Sequence, residues 1–245
     1  MKDVKETYQL HVFNKPKEIN IINIDLATGL EPVLVLVAGF SKNSFEGSAK
    51  VILKDIDKLK KKFGRILMIE YSSYKEDQSD ACDRRDRIVD PNPDAKYQPE
   101  EDLNIEIAGK IDEILRVQLK LTNVHLLGKC NGGAVLIDTL VRDEYNPEKI
   151  YNALYLAVPG SYFNVILLEK MSKDRLKEIK FIFRWRQQDG YQFKWGKSNK
   201  ELEKYESKMK ELGCDDCVCE MYDDGTPELA KDAHEIDPKF VDRIV

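Results

Sequence analysis

Apolar residues recur along this chain with a period near two in some stretches and near 3.6 in others, and the switches outline its elements. Residues 8–13 and 19–24 partly alternate between apolar and polar, with a turn at Asn14, Lys15 and Pro16 between them, which predicts a leading hairpin. After Thr28 and Gly29 comes the run Val33, Leu34, Val35, Leu36, Val37, Ala38, closed by Gly39. A continuous β-branched and leucine run of this kind predicts a strand buried on both faces of a parallel sheet. Between 45 and 63, Val51, Ile52, Ile56, Leu59 and Phe63 fall at helical spacing among lysines, so the stretch reads as one amphipathic helix. A strand at 65–70 follows.

The pattern then stops. Aspartate, serine, proline and arginine dominate from Ser72 to Pro99, and the prolines at 91 and 93 forbid regular structure, predicting a long surface loop over about 72–102. Loops of that length are functional or plain insertions, so a lid or substrate-facing role stands beside the simpler reading. Regularity resumes with a helix over 103–121, a strand at 123–127, a glycine-rich turn at 128–133 and a helix over 134–142. A strand at 153–158, a helical stretch to about 178 and a strand at 181–185 come next. A charged helix over 199–212, a short strand at 217–222 and a closing helix over 238–245 complete the chain. Strands alternating with helices imply right-handed βαβ units and a mostly parallel sheet covered on both faces.

With 245 residues and neither an internal repeat nor a linker, one domain spanning 1–245 is the expectation. Hydrophobic residues at 42% and charged residues at 34% give a soluble globular composition rather than a disordered one. Acidic residues outnumber basic ones, 44 to 39, which argues against affinity built on neutralising phosphates, so nucleic acid is not an expected partner. The longest apolar run, 32–40, is far short of the roughly 20 residues that cross a bilayer. The N-terminus carries no apolar signal region, so neither membrane association nor secretion is expected. Five cysteines, an odd and sparse count, predict reduced thiols in a cytoplasmic protein.

Gly128-Lys129-Cys130-Asn131-Gly132 has the form glycine-x-nucleophile-x-glycine between a predicted strand and a predicted helix, the context of a nucleophile elbow. At such a turn the nucleophile's backbone is strained, and side chains two residues away on either side would strike the neighbouring strand or helix. The helix N-terminus beside Cys130 favours its thiolate. The simpler reading is a small buried cysteine in a tight turn. Lys129 either attracts an acidic substrate or faces solvent. Cys214, Cys217 and Cys219 form at best one half of a zinc site, so they are read as structural thiols and no metal is expected. Neither G-x-G-x-x-G nor G-x-x-x-x-G-K-[ST] occurs, and no cofactor is expected. Of the three histidines, His125 lies five residues before Cys130 on one strand, roughly 16 Å away at the strand rise, beyond hydrogen-bond reach. His11 belongs to the leading hairpin, and His234 to the loop after the last predicted strand, where an ordinary surface histidine is the simpler reading.

Leu126 to Gly133 resembles the elbow of the α/β-hydrolase superfamily, in the cysteine form of dienelactone hydrolases and bacterial polyester synthases. The synthases are considerably longer, so the dienelactone hydrolase-like branch is the better match. The resemblance runs over nearly the whole chain through the order of elements, and implies a three-layer α/β/α hydrolase fold with a mostly parallel sheet and an antiparallel N-terminal hairpin. It implies an acid after the strand two elements past the elbow, where Asp189 precedes Gly190, with Asp223, Asp224 and Asp232 in reserve. The family order of nucleophile, acid and histidine matches His234. Oxyanion amides would come from Asn131 and from Phe40, after the first glycine past the 33–38 strand. Two features depart from the pattern. Ala38-Gly39 stands where many members have His-Gly, and no glutamate follows Gly39 where dienelactone hydrolases hold one near the cysteine. The implied activity is hydrolysis of an ester, lactone or thioester of a small-molecule acyl substrate through a Cys130–His234–Asp189 triad. The other readings are a non-catalytic binding or scaffold protein on the same fold, and an acyltransferase using the same cysteine.

Overall fold

The structure, a computed structural model, describes residues 2–12, 15–39, 42–71, 103–159, 163–187, 198–223, 236–237 and 239–245. The expected long loop at 72–102 lies outside the described residues. Among the described residues, eight strands form one sheet: β1 (Lys2–Val12), β2 (Lys15–Asp25), β3 (Val33–Val37), β4 (Arg65–Tyr71), β5 (Val124–Lys129), β6 (Tyr151–Ala157), β7 (Lys180–Arg186) and β8 (Val218–Tyr222). Their order across the sheet is β1-β2-β4-β3-β5-β6-β7-β8. β2 pairs antiparallel with both β1 and β4, and every other pairing is parallel.

The helices are α1 (Lys42–Lys54), α2 (Ile56–Leu59), α3 (Leu103–Glu113), α4 (Asn131–Val141), α5 (Phe163–Ile166), α6 (Lys173–Lys177), α7 (Ser198–Glu211) and α8 (Phe240–Ile244). They cover the sheet in two layers. Apolar residues of α3, α4, α6 and α7 pack with Val35, Val37, Leu126, Leu154 and Phe183 on one face. Those of α1, α2 and α8 pack with Leu34, Leu36, Leu127, Tyr155 and Ile182 on the other. The alternation of strand residues between two cores explains why β3 is apolar at every position, with all five residues buried.

Three expected helices are interrupted. The helix over 45–63 breaks at Asp55, whose backbone leaves the helical region (φ −102°, ψ 21°), so α1 and α2 are separate pieces that keep Ile52, Leu59 and Phe63 in one core. The helix over 103–121 ends as α3 and continues as a π-helical turn, Ile114–Gln118, closed by Leu119 N–H donating to the Ile114 carbonyl at 2.9 Å. The wider turn keeps Ile114 and Leu115 buried together, while Val117 is 65% exposed. The stretch before 178 breaks at Met171, whose extended backbone precedes Ser172, the N-cap of α6.

At the N-terminal edge of the parallel strands lies a buried ionic network that sequence patterning missed. Asp143, 0% exposed, accepts from Arg175 Nε at 3.0 Å and Nη2 at 2.6 Å, from Arg116 Nη2, and from Ile150 N–H at 3.1 Å. Arg116 also donates to Asp112 at 2.8 Å, and Asp112 accepts from the Tyr151 hydroxyl at 2.6 Å. The network joins α3, its π-helical turn, α6, the start of β6 and the turn after α4. Removing one member leaves buried partners uncompensated. Asp143→Ala should therefore lower unfolding stability by about 3–5 kcal/mol, read from urea denaturation midpoints. An unchanged midpoint would show that the two arginines find other partners.

Candidate active site

β5 delivers the chain to Cys130, and α4 begins at the next residue. Cys130 has φ 53° and ψ −125°, outside the helical and sheet regions, and is the residue at which strand turns into helix. Close packing imposes this conformation. A Cβ on Gly132 would come within 2.1 Å of the Val37 carbonyl oxygen and 2.4 Å of that of Ala38, at the end of β3. One on Gly128 would meet Gly133 Cα at 2.5 Å and its nitrogen at 2.8 Å. The first turn of α4 thus lies against both β3 and β5 at distances only glycine permits. Cys130 N–H donates to the Ala157 carbonyl at 3.2 Å, fixing the turn to the end of β6, and the side chain is partly exposed.

The first amides of a helix have no carbonyl within the helix to bond, and their dipoles sum to a partial positive charge at that end. Asn131, assigned to the oxyanion hole from the sequence, is the first residue of α4. Its carboxamide is held in place: Nδ2 donates to the Tyr71 hydroxyl at 3.0 Å and to Asn104 Oδ1 at 2.9 Å, and Asn104 Nδ2 donates back to Asn131 Oδ1 at 3.1 Å. Tyr71 and Asn104 were missed in the sequence, because neither belongs to a motif and the contact joins the ends of distant segments.

Phe40, Asp189 and His234 lie outside the described residues, as do the reserves Asp224 and Asp232. Their neighbours are described. Gly39 follows β3, Arg186 ends β7, and Ile236 and Asp237, just after His234 in the chain, are buried. Asp223, the remaining reserve, is exposed at the end of β8. Asp237 pairs with Arg184 Nε at 2.9 Å, and Arg184 Nη1 donates to Glu220 at 3.1 Å. Burial pushes the Asp237 carboxyl up from its usual value despite the arginine. This ion cluster ties the ends of β7 and β8 to the segment leading into α8.

His125 sits low on β5, its Nδ1 2.9 Å from the Tyr155 hydroxyl and its ring edge-on to Phe63. Burial, with Lys62 and Lys180 nearby, pushes its pKa down to about 4, so it is a neutral packing residue. Lys129 is 2% exposed, which corrects the expectation that it faces solvent. Cys217 and Cys219 have their sulfurs 3.9 Å apart, and among the described residues no group of three or more histidine, cysteine, aspartate or glutamate side chains is placed to hold a metal. No helix among the described residues is long and apolar enough to cross a membrane.

Two outcomes follow from this geometry. Alanine at 130 keeps the strained backbone and glycine relieves it, so Cys130→Gly should be more stable than Cys130→Ala by about 1 kcal/mol in chemical denaturation; the reverse order would mean that the turn is unstrained. His125 has a folded pKa below its unfolded value of 6.5, so the unfolded chain binds the proton first. Stability should fall as pH drops from 6.5 towards about 4, and His125→Gln should flatten that part of the pH–stability curve.

No family model matches this sequence, and no curated protein matches it. Solved structures do. A CIB-like hydrolase from Thermoplasma acidophilum superposes with a TM-score of 0.54 at 12% identity, covering 99% of this chain and 96% of that one. Carboxyl esterase 2 from Tuber melanosporum gives 0.57 at 10% identity, covering 100% and 86%. A dienelactone hydrolase from Anabaena variabilis gives 0.54 at 11% identity, covering 100% and 94%. Together with the strand order and the two helical layers, these likenesses establish that the chain has the α/β-hydrolase fold.

Proposed function

We propose that this protein hydrolyses an ester, lactone or thioester of a small acyl substrate, with Cys130 as nucleophile. The observation that carries the reading is the backbone of Cys130, held at φ 53° between two glycines at the start of α4. A turn strained in this way presents a side chain at the helix N-terminus, where negative charge is stabilised. That a carboxyl esterase and a dienelactone hydrolase share the fold supports the same class of chemistry.

In this mechanism the Cys130 thiolate attacks the acyl carbon, and the oxygen that gains charge is met by the amides of Asn131 and Phe40. The tetrahedral species collapses with loss of the alcohol, enol or thiol, which takes its proton from His234. Asp189 orients that imidazole. Water, deprotonated by His234, then cleaves the thioester and restores the thiol. A thiolate is itself a good leaving group, so the tetrahedral species goes forward best when the substrate expels a stabilised anion. Enol lactones, thioesters and activated esters are therefore favoured over amides and triglycerides. A reducing, cytoplasmic setting would keep the nucleophile as a thiol.

Steady-state hydrolysis of p-nitrophenyl acetate tests the reading. Cys130→Ala and His234→Ala should each lower kcat/KM by about 100-fold or more. Wild-type turnover no greater than that of both variants would contradict it. Turnover in the presence of an alcohol or amine that greatly exceeds hydrolysis would favour acyl transfer through the same cysteine.

A further inference from the structure

The reciprocal amide pair beside Cys130 is a polar arrangement in a place where the fold could have used apolar packing. Asn104 is completely buried and Tyr71 nearly so, and they come from the first turn of α3 and the last residue of β4. Two primary amides set face to face exchange donor and acceptor, and the second hydrogen of Asn131 Nδ2 is taken by the Tyr71 hydroxyl. Each of the four polar atoms of the two amides is thereby engaged, and none of them carries a charge.

The lack of charge has a consequence. The first turn of α4 contains no acidic residue, although aspartate or glutamate there would ordinarily complement the helix dipole. A carboxylate at 131 would lose its donors to Tyr71 and Asn104 and set a negative charge beside the sulfur that must become a thiolate. An amide instead anchors the helix start and leaves the positive end of the dipole to Cys130.

From this arrangement we infer that Tyr71 and Asn104 are positioning residues for the Cys130 elbow. Through the side chain of Asn131 they hold the peptide N–H that follows the nucleophile in its aim at the reacting oxygen, and they do so without competing charge. The inference rests on the reading of Cys130 as nucleophile, and deepens it by adding two residues that act through the side chain of Asn131.

The test uses Tyr71→Phe, Asn104→Leu and the double variant in the full-length protein, with two readouts. In p-nitrophenyl acetate hydrolysis each single variant should lower kcat by about tenfold with KM changed by less than about threefold, because the lost amide aim is felt in the transition state. The double variant should be no worse than the poorer single one by more than about twofold, since both act through one carboxamide. In alkylation of Cys130 by iodoacetamide, followed by peptide mass against pH, the midpoint should move to higher pH in both variants.

Circular dichroism and urea midpoints establish that the variants are folded. If Asn104→Leu does not fold, Tyr71→Phe, which removes one hydroxyl and nothing else, decides. Folded variants with wild-type kcat and an unshifted alkylation midpoint would overturn the inference. The alkylation arm reads Cys130 whether or not the protein turns over. A shifted midpoint with no wild-type hydrolysis sustains the positioning role and removes the hydrolase reading, whereas Cys130-dependent hydrolysis with an unshifted midpoint and unchanged kcat does the opposite.

Discussion

The contact on which the site depends is the approach of the first turn of α4 to the end of β3. Gly132 lies so close to the Val37 and Ala38 carbonyls that no side chain fits between them. Gly128 is pressed against Gly133 in the same way. With helix and strands at that separation, the peptide between them can turn only through a positive φ, and the residue at the turn is Cys130. Strain of this kind costs about 1–3 kcal/mol and persists only where surrounding packing over-determines it. The two apolar layers, the buried Asp143 network at the other end of the strands and the Ala157 bond to Cys130 N–H supply that packing.

The same geometry divides the sheet into two functional ends. At the N-terminal edge of the parallel strands the polar groups are structural: Asp143 accepts from both arginines, which also donate to Asp112, Glu178 and the Glu148 and Tyr151 carbonyls. Towards the C-terminal edge lie two other polar clusters, one of them beside the elbow. The Tyr71–Asn104–Asn131 cluster fixes one flank, and the Arg184–Asp237–Glu220 cluster ties together the strand ends from which the segments bearing Asp189 and His234 depart or return. Parallel sheets place their binding crevices outside the carboxyl ends of the strands, and the distribution of charge here follows that rule.

Much of this was legible in the sequence because it is written in local patterns. The continuous apolar run of Val33 to Val37 pointed to a central strand buried on both faces, and the glycines spaced about Cys130 pointed to a tight strand-to-helix turn, since only glycine fits where helix and strands approach so closely. His125 was separable from the site by strand rise alone. What was not legible depends on segments far apart in the chain. The break at Asp55 and the π-helical turn at Ile114–Gln118 leave the apolar spacing almost unchanged, so periodicity read through them. Asn104 and Tyr71 meet Asn131 only once three elements have folded, and the burial of Lys129 likewise depends on the layer packed over β5.

In the proposed mechanism the strained cysteine at the end of β5 forms a covalent bond to the acyl group. Acid-quenched mixing with p-nitrophenyl acetate followed by intact and peptide mass measurement tests it most directly. The account predicts a transient gain of one acetyl group, located on Cys130 and absent from Cys130→Ala, that decays as product forms. Hydrolysis with no adduct on Cys130 at any time, or an adduct on another residue that forms equally in Cys130→Ala, would contradict it.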